Sequence, residues 1–362
     1  MATSVSIVAT GARTPVGLRS TPAAAAVRAG ITRLAEHPYM IDRVGDPMPG
    51  ALDPRLDPAM IGPSRLLALA ESALREVCEP LKDAAPSRLR LPMYVGLPEL
   101  RPGFTEEDAW AVRSGLSQIE GLPLAISEVN VIFEGHAAGL SALATATQQI
   151  QTGALEACLV GGVESYFHPD TMEWLDENRQ LVGSVSRSGF VPGEGAGFCL
   201  VMSERTWRRM GLFSLARIRS AAIGRETKLI KTSDICLGEG LTDTVREAAS
   251  ELHAAGESIN ELICDMNSER YRGEEWGFVC LRLGMYFDDP TGYVSPAACW
   301  GDMGAASGPL FAMLACQAAA RGLEKGPRTM VWASSEGGLR GAAVLEFDGS
   351  GKDSVGRITR VH

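Results

Sequence analysis

The stretch Val129–Ser165, VNVIFEGHAAGLSALATATQQIQTGALEACLVGGVES, decides the fold. Val129–Phe133 is a β-rich run. From about Ala137 to Gln151 the chain is Ala-rich and predicts a helix, closed by Gly153. Ala157–Val160 predicts a second strand, ending in Gly161-Gly162. Strand, helix and strand at this short spacing form an α/β crossover. Ala137, Ala138, Ser141, Ala142, Ala144 and Ala146 offer only small side chains, so other elements can approach closely and the helix belongs in the interior. An exposed Ala-rich helix is the competing reading.

Toward the N-terminus, Ser4–Thr10 predicts a buried strand leading into a loop with Gly11, Pro15 and Gly17. Ala23–Ala29 predicts a short helix stopping near Gly30. Residues 38–60, rich in Pro, Gly and Asp, predict a loop, and Pro63 precedes a predicted helix over Ser64–Cys78. Arg90–Gly96 predicts a strand and Glu106–Gln118 a helix. Toward the C-terminus, Ala196–Met202, Leu215–Ala221, Glu261–Cys264, Thr329–Ala333 and Gly341–Phe347 predict strands. Thr242–Ala255, Glu274–Gly284 and Met303–Arg321 predict helices. A long helix of small residues followed by strand occurs late in each half. Two related α/β units are therefore expected, residues 1–205 and 206–362.

The 362 residues carry 45% hydrophobic and 22% charged side chains, ordinary for a globular chain. A formal net charge of -10 argues against a surface that tracks nucleic acid. Arg205, Arg208 and Arg209 form either a local docking patch for an acidic carrier protein or a solvated helix face. Neither a signal-like core nor a membrane-length apolar run occurs, so a cytoplasmic protein without membrane contact is expected. Eight cysteines without any Cys-x-x-Cys pair predict reduced, buried thiols rather than zinc or a disulfide framework. No metal site is expected, because His37, His168 and His253 are dispersed. No cofactor is expected either: Gly193, Gly195 and Gly197 lead into a strand, whereas a dinucleotide loop follows a strand and opens a helix.

Several segments resemble β-ketoacyl synthases, the condensing enzymes of the thiolase fold. Ile7–Leu18, IVATGARTPVGL, is similar to the family's opening strand and loop, and His136–Ser165 to its nucleophile helix and double-glycine strand. Arg187–Gly197, RSGFVPGEGAG, resembles the family's RDGFV-x-GEGAG run. Gly301–Gly308, GDMGAASG, resembles GH-x-x-x-AAG, and Gly337–Leu345, GGLRGAAVL, the glycine-rich turn and final strand. These pieces follow the family order. The resemblance implies a five-layered α-β-α-β-α core with two pseudo-symmetric halves, and a homodimer or a heterodimer with a ketosynthase-like subunit. It also implies a cysteine at the start of the buried helix that accepts an acyl group, assisted by two histidines. Such a thiolate gains from the helix N-terminus, and imidazoles donate to a thioester oxygen.

The chain departs from that pattern at all three positions. His136 stands where the nucleophilic cysteine is expected. Asp265-Met266-Asn267-Ser268-Glu269 stands near the first histidine motif, with no histidine between His253 and His362, and Asp302 stands at the second. His136 is read either as a base or proton donor oriented by Asp302 or Glu269, or as a hydrogen-bonded filler. The helix N-terminus favours its neutral form. Asp302 either orients His136 or caps the following helix. Asn267, Ser268 and Glu269 lie at a predicted strand end, where α/β proteins place ligands, or make loop contacts only. Glu194 is expected to hold backbone by hydrogen bonds, and Ser165 has no base beside it in sequence. The expected function is a non-condensing, ketosynthase-like partner, scaffold or acyl-binding subunit of a fatty-acid or polyketide-type system, meeting an acyl-carrier protein or acyl thioester. The alternative is an acyltransferase, decarboxylase or thioester hydrolase centred on His136, and pocket shape separates the two.

Overall fold

The computed structural model describes residues 3–84, 89–183, 186–229 and 231–347; His362 and the outer ends of the two expected halves lie outside these. The first half contains β1 (Val5–Arg13), α1 (Ser20–Arg28), β2 (Ala35–Ile41), β3 (Pro47–Gly50), α2 (Gly62–Val77), α3 (Leu81–Ala84) and β4 (Arg90–Gly96). It continues with α4 (Glu106–Ser117), β5 (Ala125–Ile132), α5 (Ala138–Gln151), β6 (Ala157–Ser165), α6 (Pro169–Glu177), β7 (Glu194–Ser203) and α7 (Glu204–Arg209). The second contains β8 (Ala216–Arg225), α8 (Glu239–Ala254), β9 (Glu261–Cys264), α9 (Arg270–Leu283), α10 (Ala297–Trp300), α11 (Ser307–Ala319), β10 (Arg328–Ser334) and β11 (Leu339–Glu346).

The strands run β5-β4-β6-β7-β1-β8-β11-β10-β9. Only Ser6–Arg217 and Ile7–Ala216 join β1 to β8, so the ribbon consists of two half-sheets. Their grammar repeats. In the first, β7 lies antiparallel between β6 and β1; in the second, β11 lies antiparallel between β10 and β8. β4 and β9 are the parallel neighbours of β6 and β10. Where the first half has β5, the second has only isolated parallel bridges, Ile259–Phe287 and Ile263–Val294, among the described residues. Helices α5 and α11 pack against strands of both half-sheets, with α2 and α4 outside one and α8 and α9 outside the other. This is the five-layered α-β-α-β-α thiolase architecture.

Small residues make that centre possible. A Cβ added at Gly139 of α5 would lie 2.4 Å from Cδ of Pro309 in α11, and one at Gly96 of β4 would lie 2.5 Å from the Gly139 nitrogen. The exposed-helix alternative for α5 is thereby excluded, since Ala138, Leu140, Ala142, Leu143 and Ala146 are buried. Strand β7 is buried along its whole length between α2 and α11, which explains its unbroken apolar run.

Three expectations need correction. Residues 38–60 are not simply loop, because β2 and β3 pair as an antiparallel hairpin over 35–50. That hairpin packs Met48 into a small cluster with Tyr166, Phe167, Met172, Leu175, Leu181 and Phe190, beside the site described next. Helix α9 begins at Arg270, earlier than the predicted Glu274, with Gly273 tolerated at an exposed position of its first turn. Strand β6 does not end at Gly161-Gly162 but runs through them to Ser165. There Cβ atoms would strike the Phe198 ring and Ala305 O, so the glycines serve packing rather than a turn.

Candidate functional site

His136 lies in a 3-10 turn, Gly135–Ala137, between β5 and α5. Gly135 has φ +68, and a Cβ there would collide with the Glu99 side chain. Asp302 follows α10. Its backbone is held by the glycine-rich run, with Gly193 N–H donating to Asp302 O (2.9 Å) and Asp302 N–H to Val191 O (2.7 Å). Glycine at 193 is required, since a Cβ would lie 2.4 Å from Trp300 O. Asn267 and Glu269 come from the loop at the C-terminal end of β9. Between them Ser268 takes a left-handed φ of +79, a conformation that costs a non-glycine residue on the order of 1 kcal/mol or more. Ser268 faces solvent while its two neighbours are buried.

The structure brings all four candidates together. His136 Nε2 lies 2.8 Å and 3.0 Å from the two Asp302 oxygens. Asn267 Nδ2 donates to Asp302 Oδ2 (2.5 Å) and to Glu269 Oε2 (3.1 Å). Two further residues were not singled out by sequence. Arg272, fully buried in the first turn of α9, donates to Asp265 (2.6 Å) and Glu269 (3.3 Å), and its Nη2 lies 3.1 Å from His136 Nε2. Tyr166 donates its hydroxyl to Asp302 Oδ1 (2.9 Å), and Arg101 stacks 4.4 Å from its ring centroid. The late predicted start of α9 hid Arg272. Tyr166 carried no signal beyond its place after the double-glycine strand.

The electrostatics reverse one expectation. Burial pulls the His136 imidazole toward its neutral form, but the Asp302 carboxylate overcomes this and raises its pKa above the ordinary value, with Asp265 assisting and Arg272 opposing. A directly bonded carboxylate outweighs the partial charge of a helix end and shifts the His136 imidazole toward its protonated form. Its Nε2–H then donates to Asp302, and Arg272 lies alongside. Burial disfavours ionised Asp302, yet His136, Arg272 and Asn267 keep its carboxyl well below the usual range. Burial, then Asp302 and Glu164, keep the Tyr166 hydroxyl protonated. Asp302 Oδ1 also accepts from Gly304 N–H (2.8 Å) in the 3-10 turn Gly304–Ala306, whereas the N-cap of α11 is Ala306, without a side-chain bond.

Beside His136 is a cavity of about 50 Å³, bounded by Glu99, Arg101, Glu164, Tyr166, Trp174 and Glu336 among others. Ligand pockets for drug-sized molecules usually span about 300–1,000 Å³ and are mainly apolar. Among the described residues, the cavity at His136 is well below that size. No cysteine lines the cavity. Burial pushes the thiols of Cys78, Cys158 and Cys199 up to about 12 and raises Cys264, so none of these four is poised as a thiolate.

The other highlighted residues have structural partners. Glu194 accepts from Asp53 N–H (2.6 Å), Ser165 Oγ (2.9 Å) and the fully buried Arg65. Arg208 and Arg209 pair with Glu204 and Glu156 on an exposed face of α7. All eight cysteines are free.

Residues 135–206 match the family model of the β-ketoacyl synthase N-terminal domain. The ketosynthase from module 6 of the bacillaene synthase of Bacillus subtilis 168 superposes with a TM-score of 0.75 at 15% identity, over 95% of this chain and 72% of its own. A type II polyketide ketosynthase, solved with its acyl-carrier protein and bound to the hexaketide, gives 0.77 at 15% identity over 96% and 100% of the two chains. The ishigamide ketosynthase/chain length factor gives 0.76 at 16% identity over 96% and 100%. At these identities the likeness is one of fold. No curated protein sequence matches the chain.

Proposed function

We propose that this chain is a non-condensing, ketosynthase-like subunit that acts as a partner, scaffold or acyl-binding component of a fatty-acid or polyketide-type system. The observation that carries this reading is the surroundings of His136, the residue that the resemblance puts at the nucleophile position. His136 is paired with Asp302 and borders a cavity of only about 50 Å³. Condensation needs a thiolate and room for two acyl groups, and this site offers neither. In this reading the ion network replaces the reactive groups as the tie between the halves, with His136 from one and Asn267, Glu269, Arg272 and Asp302 from the other.

One observation favours an enzymatic second reading. His136 Nδ1 has no hydrogen-bond partner among the described residues, and His136 borders the cavity. An imidazole bordering a space of that size suits proton transfer to a small group such as a malonyl terminus or a water. Purified protein and His136→Ala, incubated with acyl and malonyl thioesters, separate the two by intact mass and product analysis. Absence of adduct and turnover, with carrier or ketosynthase binding in native mass spectra, is the expected result. Turnover that depends on His136 overturns it.

A further inference from the structure

Three metal-ligating side chains converge away from the His136 network. Glu226 follows β8, Cys236 precedes α8 and Glu275 lies on α9; their ligand atoms all fall within 4.8 Å of one another. Tetrahedral bonds of about 2.0–2.3 Å set ligand separations of roughly 3.6 Å, so a closure of about 1 Å completes the geometry. Both carboxylates are oriented. Glu226 accepts from Lys228 N–H (3.1 Å) and Gly240 N–H (2.9 Å) through different oxygens. Glu275, 2% exposed, gives Oε1 to Arg340 (2.7 Å). Its Oε2 is enclosed with no hydrogen bond; burial raises the Glu275 carboxyl, and Arg340 and then Ser334 act in the opposite sense. An enclosed carboxylate oxygen without a donor calls for a cation.

We propose that Glu226, Cys236 and Glu275 form a site for one divalent transition metal of the zinc type, with a water completing the tetrahedron. Burial raises the Cys236 thiol and the Glu275 carboxyl, so the site reaches two negative charges net of Arg340 only as the ion displaces their protons, and a divalent ion then neutralises it. The sulfur selects a borderline-soft ion over magnesium or calcium. Binding displaces the Cys236 proton, so affinity increases with pH. The ligands lie on three separate segments, which is why no spacing in the sequence reveals them. A bound ion would fasten the loop before α8 to α9, the helix that also carries Arg272.

The test is calorimetric titration of the chelator-stripped full chain with zinc chloride. One equivalent is expected, together with slower iodoacetamide labelling of Cys236 read by mass spectrometry. Cys236→Ser and Glu226→Gln should each weaken binding by about tenfold or more, since even loss of an outer partner costs a metal site that much. Cys280→Ser, at another partly exposed thiol, should bind as the wild type does. Glu275→Gln is avoided because it also breaks the pair with Arg340. Lack of saturable one-to-one binding, or unchanged binding in folded Cys236→Ser, overturns the proposal.

Discussion

At the scale of single residues, His136 and Asp302 titrate in opposite senses. The folded-state pKa of His136 lies above its unfolded value, so its contribution to stability is complete below about pH 6.5 and fades as pH rises through the raised value. Asp302 is depressed, so its contribution is present above about pH 3.8 and is lost only as pH falls through the lower value. The pair is therefore at full strength between those two limits. An NMR titration of the His136 ring should give a midpoint above 6.5, moving down in Asp302→Asn; a wild-type midpoint at or below 6.5 sinks the charged pair. Asp302→Ala leaves His136, Asn267, Tyr166 and the Gly304 N–H without their acceptor. Urea unfolding should show a loss of about 3–5 kcal/mol, as for a broken buried ion pair. His136→Ala should cost less, because Asp302 retains Asn267, Tyr166 and the Gly304 N–H.

At the scale of elements, the contact of α5 with α11 is set by glycine. Gly139→Val would drive a branched side chain into Pro309 and should destabilise by about 1–3 kcal/mol or more, measured as a fall in Tm with the fold retained in circular dichroism. Wild-type stability in that variant would mean the two helices separate freely. The long elements were legible because periodicity reports burial: β1, β4, α2, α5, β9, α11 and β10 lie within a few residues of their predicted spans. The β2–β3 hairpin was hidden by Pro38, Pro47, Pro49 and Gly45, which are loop signals unless tertiary packing holds the strands. The candidate site was legible where the chain broke a motif, which pointed to His136 and Asp302. Their pairing was only one reading in sequence, since they are 166 residues apart. Arg272 and Tyr166 depart from no motif, so only the fold brings them into view.

At the scale of the whole molecule, β5 is an open edge of the nine-stranded ribbon. An eight-residue edge strand presents unpaired N–H and C=O groups that another chain can satisfy. Self-association, or association with a ketosynthase-like subunit, is expected along it. Light scattering should detect a dimer that Ser127→Lys weakens, whereas a strictly monomeric wild type that also ignores ketosynthase subunits removes this surface from consideration. The position of α5 and α11 has another consequence. Each lies between strands of both half-sheets, while β1 and β8 share only two residue pairs. Severing the exposed turn around Gly211 would give two fragments, each carrying one central helix that its own strands cover on a single side. Neither fragment could hide that helix alone, so the two would need to be made together, and recovered solubility would become a readout of their reunion.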